Sequence, residues 1–310
     1  MWAVTHVLRS SVLDLLIRLA VLVTLLVLAG LIFQAIGTAR DARRFPPPGR
    51  LVDIGGHRLH IYRMGEGTPA VVMDSGFPAS SLSWTFVQPA VARFTHACSY
   101  DRAGLGWSDA STYPGDVVGL VLVDPIHPSE WLQMTDASAR KLAGAIRLSR
   151  YGALLARMGI ARLISALVRL GTPGLARTSV SLLTGGTMAE AERRIAPLGK
   201  LPLELRPIIA ALWTQPKFFD AIASQAESLP QSAAQVAATG DYGDIPLVVL
   251  SASSSSPSDI KGHEALAHLS SQGKHVVASK SGHWIQLDEP DLVIESIREV
   301  VELVGRRSPK

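Results

Sequence analysis

Between Leu15 and Phe33 the sequence reads LLIRLAVLVTLLVLAGLIF, nineteen residues in which Arg18 is the only charge. Inside hydrocarbon no water is available to backbone N–H and C=O groups, and a helix is the one structure that satisfies them within a single segment. At about 1.5 Å per residue, such a run reaches roughly the 30 Å thickness of a bilayer core. Arg18 lies near its outer end, where a long side chain snorkels to the headgroups. The run predicts a single membrane-spanning helix. A cleaved signal peptide is the alternative, with Gly37-Thr38-Ala39 as its small-residue cleavage site, although the apolar run exceeds an ordinary signal core.

Arg9 and Arg18 precede or open the run, whereas Arg40, Arg43, Arg44 and Arg50 follow it. The positive-inside rule then favours a cytoplasmic main body. Pro46-Pro47-Pro48 is a stiff, extended spacer. Residues 1–37 read as the anchor, 38–50 as a linker, and the folded body begins near residue 51.

With 30 Lys+Arg against 26 Asp+Glu over 310 residues, the net charge of +4 is too small to indicate a nucleic-acid reader. The apolar fraction of 47% supplies a core and argues against disorder. Cys98 is the sole cysteine, so neither an intramolecular disulfide nor a cysteine metal cluster is available.

Two β-rich runs, 51–54 and 58–62, flank Gly55-Gly56-His57 and predict a hairpin. Short apolar runs at 69–75 and 97–101, with a helix expected over 83–94 between them, read as a βαβ unit and hence a parallel sheet. Further buried strands are expected at 117–123, 246–250 and 275–278, with helices at 260–270 and 292–304. Residues 129–240 show helical periodicity and almost no strand signal, which predicts a helical cap inserted between core segments 51–128 and 241–310. In a parallel sheet the loops after the carboxyl ends of strands gather on one edge, where ligands bind. Those loops hold Gly76-Phe77-Pro78, Asp101 to Gly104, Asp124, Asp259 and Gly282-His283.

Four segments carry a family resemblance. Met73-Asp74-Ser75-Gly76-Phe77-Pro78 resembles the His-Gly-x-Pro turn of the capped α/β hydrolases, with Ser75 in place of the histidine. Tyr100 to Asp109 is similar to the family's aspartate/arginine/glycine segment after the fourth strand, Val121 to Pro128 to its sixth strand and exit, and Ser281 to Pro290 to its histidine loop. The likeness spans about residues 50–305. It implies an α/β fold with a mostly parallel, doubly wound sheet, and ester-type hydrolysis by nucleophile, histidine and acid. In those roles it places His283 as the base, Asp124 or Asp259 as the acid, and the backbone N–H of Phe77 as an oxyanion donor. It implies a small-molecule substrate, ester or lipid-like, with no cofactor and no metal.

The nucleophile of this family sits in G-x-S-x-G on a strand-to-helix elbow. No such motif occurs in the chain. Between the fourth-strand segment and the sixth strand, where the family has helix, strand, elbow and helix, Asp109 to Asp116 runs straight across. A βα unit of roughly 30 residues or more is absent, with the junction between Ala110 and Tyr113. Losing that strand leaves a gap in the sheet or moves the sixth strand beside the third, and the connection is expected to be irregular. Two readings follow: a membrane-anchored hydrolase inactive as written, or a non-catalytic relative that binds through its cap and cleft.

Residues 131–240 hold 13 Lys+Arg against 6 Asp+Glu, a local net charge of +7. Arg140, Arg147, Arg150, Arg157, Arg162 and Arg169 project within about 140° of arc at 100° per residue, if the helix runs through Gly144, Gly152 and Gly159. Such a face is solvated, leans on anionic lipid headgroups, or selects acidic substrates. His57 and His60, three apart on a strand, face opposite ways, unlike a metal pair. His263, His268 and His275 lack a metal-site pattern, and no phosphate-binding glycine loop is present.

Overall fold

The computed structural model describes residues 2–109, 117–169 and 199–307. The apolar run lies within α1 (Trp2–Arg44). It is the one helix among the described residues long and apolar enough to cross a membrane, and that apolar window is unburied. The helix continues past residue 38, where the linker was expected, to Arg44. Arg40, Ala42, Arg43 and Arg44 are good helix formers, and the last two complement the negative end of the helix dipole. Only 45–49 remain as spacer, and the Trp107 indole N–H pins it by donating to Phe45 O at 3.1 Å.

The expected hairpin forms from β1 (Arg50–Asp53) and β2 (Arg58–Met64), antiparallel with Arg50 opposite Ile61. The Asp53 carboxylate accepts from the N–H groups of Gly55 and Gly56, which closes the turn. β2 also pairs antiparallel with β4 (Ala97–Tyr100), and β4 pairs parallel with β3 (Val71–Met73). β5 (Leu120–Val123), β6 (Leu247–Ala252) and β7 (Gly273–Ala278) form a second sheet, wholly parallel. The single expected sheet is therefore two sheets, ordered β1-β2-β4-β3 and β5-β6-β7. Of the two outcomes foreseen for a lost central strand, the gap is the one found: β3 and β5 do not pair among the described residues. Val72, in the middle of β3, is 65% exposed.

The gap persists because one helix holds both sheets from below. α10 (Pro290–Arg307) places Val293, Ile297, Val300 and Val304 in a core with Met73 and Ala97 of the first sheet and Val248 and Leu250 of the second. The Arg298 guanidinium lies 4.0 Å over the Phe94 ring. β6 is buried on both faces. Val248, Leu250 and Ala252 meet α10's side, while Leu247 and Val249 meet Leu266 and Ala267 of α8 (Pro257–Ala267). That two-sided burial is what a continuous apolar run such as LVVL requires.

The helix expected over 83–94 breaks into a 3-10 turn at Ser81–Trp84 and α2 (Gln88–Val91). Pro89 is the cause: it offers no N–H to residue 85, and its ring opposes the helix before it. After β4, residues 101–109 form turns that return to β2, with Asp109 N donating to Arg58 O at 2.7 Å. The junction read between Ala110 and Tyr113 lies outside the described residues.

Between β5 and β6 the described chain is helical: α3 (Ser129–Leu132), α4 (Asp136–Arg157), α5 (Ile160–Arg169), α6 (Arg206–Trp213) and α7 (Pro216–Ala238). α4 runs unbroken through Gly144 and Gly152 and stops before Gly159, whose φ is +75°. The long arginine face therefore ends there. Arg150 and Arg157 pair with Glu227 and Asp220 of α7, and Arg162 turns inward to be buried. α7 packs Phe218 and Ala221 on Leu105 of the loop after β4, and Lys217 donates to Ser108 O at 3.1 Å.

Candidate functional site

β5, β6 and β7 end on one edge, and their exits carry the site. Asp124 directly follows β5 in a left-handed conformation, φ 46°, its N–H donating to Leu250 O at 2.8 Å. One carboxylate oxygen accepts from the Ala252 N–H at 3.0 Å and from the Ser255 hydroxyl at 2.9 Å. The other lies 2.7 Å from His283 Nδ1. Burial pushes the Asp124 carboxyl up, but the His283, Ala252 and Ser255 hydrogen bonds outweigh it and hold the group below its ordinary value.

His283 is carried by the loop between β7 and α9 (Ile285–Asp288). The Ser253 N–H and hydroxyl both donate to Ser281 O, at 3.1 and 2.7 Å. Asp288 accepts from the Gly282 N–H at 3.0 Å and from Lys200 at 2.7 Å. The ring itself is open, its side chain 63% exposed. No described residue hydrogen-bonds its Nε2.

The structure thus brings Asp124 and His283 together and leaves Asp259 elsewhere. Asp259 belongs to the start of α8: its carboxylate accepts from the Ser256 N–H at 2.9 Å while Ser256 Oγ accepts from the Asp259 N–H at 3.3 Å. This is a capping box, and the spacing Ser256-x-x-Asp259 is its sequence signal. Phe77 lies in the turn after β3, where Ala79 N donates to Gly76 O at 2.7 Å. No described acceptor takes its N–H. Asp74, just before that turn, holds Arg102 in a two-point ion pair.

Asp101 is a staple: its carboxylate accepts from the N–H groups of Ser81 and Trp107 and meets His60 Nδ1 at 2.8 Å, both side chains fully buried. Ser108 of Gly106-Trp107-Ser108 is buried as well, donating to Asp101 O and accepting from His60 N–H, and has no part at His283.

No protein-family model matches the sequence, and no curated protein matches it. Solved structures do. The Cif epoxide hydrolase from Acinetobacter nosocomialis superposes with a TM-score of 0.56 at 14% identity, covering 86% of this chain and 96% of its own. A haloalkane dehalogenase loop variant from Bradyrhizobium elkanii gives 0.53 at 15%, over 84% and 98%. The chain has the α/β-hydrolase fold. A thermophilic esterase from Thermogutta terrifontis gives 0.50 at 17% identity, over 82% and 97%. Three chemistries on one scaffold make the fold secure and leave the reaction to the site.

Within this α/β-hydrolase fold, the serine-rich stretch 251–255 is what sequence reasoning undervalued. Ser253 and Ser255 tie the histidine loop and the acid to the end of β6. Ser251 sits behind them, buried, 2.6 Å from both His263 Nδ1 and His275 Nε2. His263 Nε2 donates to Pro125 O at 2.5 Å, so its Nδ1 accepts the Ser251 proton and His275 donates to Ser251. The chain of bonds ends one residue from Asp124. A run of serines immediately after a buried strand at the ligand edge was the available signal.

Proposed function

We propose that this chain is a membrane-anchored α/β hydrolase that keeps the acid–base half of an acyl-transfer site and hydrolyses little or no ester. The observation that carries the reading is the 2.7 Å contact of His283 Nδ1 with Asp124. With Nδ1–H held by the carboxylate, Nε2 presents its lone pair outward, where a general base needs it. The Phe77 N–H supplies one oxyanion donor. In this chemistry the second comes from the residue after the nucleophile, and it is absent with the motif. Loss of one such donor costs about 10²–10³ in rate, and loss of the nucleophile removes the covalent route altogether. Water activated by the exposed imidazole is the residual path.

α1 supplies the anchor, the helices between β5 and β6 form the cap, and the arginines after α1's apolar run favour a cytoplasmic body. The substrate class that suits this scaffold at a membrane is a small ester or lipid-like molecule.

The test uses the full-length protein in detergent micelles with a fluorophosphonate probe and p-nitrophenyl butyrate. The expected result is no labelled serine and at most a trace of hydrolysis, which His283→Ala lowers to the rate without protein. A serine adduct that disappears in His283→Ala would overturn the reading. The anchor is tested separately: membranes washed in alkaline carbonate should retain the protein, and release, or a mature N-terminus at residue 40, would sink it. Sequencing the gene through the codons for Ala110 to Tyr113 should show uninterrupted sequence; a G-x-S-x-G segment there would restore an active hydrolase.

A further inference from the structure

α1 does more than precede the body; its last turns are built into it. The Gly30 carbonyl lies where a Cβ on Gly159 would fall at 2.8 Å, and a Cβ on Gly30 would meet Met158 O at 2.2 Å. The two backbones touch because neither carries a side chain there. One turn on, the buried Gln34 amide donates to Thr214 O at 3.2 Å and accepts from Arg162 Nε at 3.2 Å. Arg162 also bonds Asp41 at 2.5 Å.

This docking fixes α5 in an inverted attitude. Arg162 is 7% exposed, whereas its neighbour Leu163 is 52% exposed. A helix beside water shows the opposite arrangement. On α4, Tyr151 and Leu154, one to two turns before the Gly30 contact, are also exposed, Leu154 at 52%.

Depth follows from arithmetic. From Leu13 to Gly30 the helix takes seventeen residue-to-residue steps, about 26 Å, against a hydrocarbon core of roughly 30 Å. Gly30 therefore stands near the edge of the hydrocarbon facing the body. Leu154 and Leu163 lie about one turn from it. We infer that the corner formed by the end of α4 and the start of α5 dips into the bilayer interface beside α1, so that the cap as well as the anchor contacts lipid. The exposed leucines continue α1's own apolar surface, which names the lipid acyl region as their occupant. The contact is apolar, and Arg150 and Arg157 of the arginine face pair with Glu227 and Asp220. The inference rests on the reading of α1 as a membrane span.

The experiment reconstitutes the full chain in phosphatidylcholine nanodiscs, in a Cys98→Ser background, with spin labels on single cysteines at Ile17, Leu154, Leu163 and Glu299. Collision with oxygen is compared with collision with a water-soluble nickel chelate. The expected oxygen-to-nickel ratio at Leu154 and Leu163 is several-fold above that at Glu299 and on the side of Ile17. If Ile17 reads as lipid while Leu154 and Leu163 read as Glu299 does, the inference is overturned and the anchor stands. If Ile17 also reads as water, the anchor fails and takes the inference with it. Quenching of Leu163→Trp by bromolipid should report the same shallow depth; the absence of any quenching above that of the protein without this substitution counts against it.

Discussion

His283 Nδ1 lies 2.7 Å from Asp124 Oδ2, a bond that joins residues 159 apart across the exits of β7 and β5. It is also a statement about stability, because Asp124 has two further donors and little exposure. Asp124→Asn should cost about 1–2 kcal/mol, since one amide nitrogen would face a donor. His283→Ala, at an exposed ring, should cost less. The native carboxyl is held below its ordinary value of 3.8, so its contribution is complete above that pH and is lost as pH falls through the depressed value. Urea midpoints of wild type and Asp124→Asn should therefore differ at pH 7, begin to approach one another below about pH 3.8, and converge only below the depressed folded value.

Arg162 and Asp41 form an ion pair whose side chains are 8% and 18% exposed. Removing either alone leaves the other buried and unpaired, which costs about 3–5 kcal/mol when the desolvation is complete. A double-mutant cycle of Arg162→Ala and Asp41→Ala should give a coupling of about 1–3 kcal/mol. A coupling near zero would mean that α1 does not dock on α5.

His275 donates to Ser251, and burial pushes its pKa below the ordinary 6.5, with Glu264 opposing and His263 assisting. The folded state favours the neutral ring. That contribution is complete above pH 6.5 and declines as pH falls from there through the lowered folded value. His275→Gln keeps a donor without titrating, so its stability relative to wild type should rise on acidification across that window. Parallel stability curves would refute the assignment.

β3 and β5 each present an edge without a strand partner among the described residues, whereas β6 is paired on both sides. Native-state hydrogen exchange should be faster in β3 and β5 than at Val249 and Leu250, by at least about tenfold. Equal protection would show that the two sheets close in solution.

Much of this architecture was legible in the chain. The hairpin around Gly55-Gly56, the buried run of β6, α10's apolar stripe and the nineteen-residue, largely apolar run of α1 each announce themselves within a short window. Periodicity and turn chemistry act between covalent neighbours, so the sequence alone determines them. The absence of G-x-S-x-G is equally a property of the sequence.

Other matters were decided only in three dimensions. Asp124 and Asp259 both follow strands, and their local sequences leave either free to meet an imidazole. Strand order brings one to His283, while the Ser256–Asp259 capping box occupies the other. Arg162 projects onto an arginine face until the break at Gly159 turns α5, and the docking of α1 buries it. Whether a lost strand leaves a gap or a closed sheet depended on α10 gripping both halves at once. In each case the deciding contact joins groups far apart in the chain, and its energy exists only after the backbone between them has been placed.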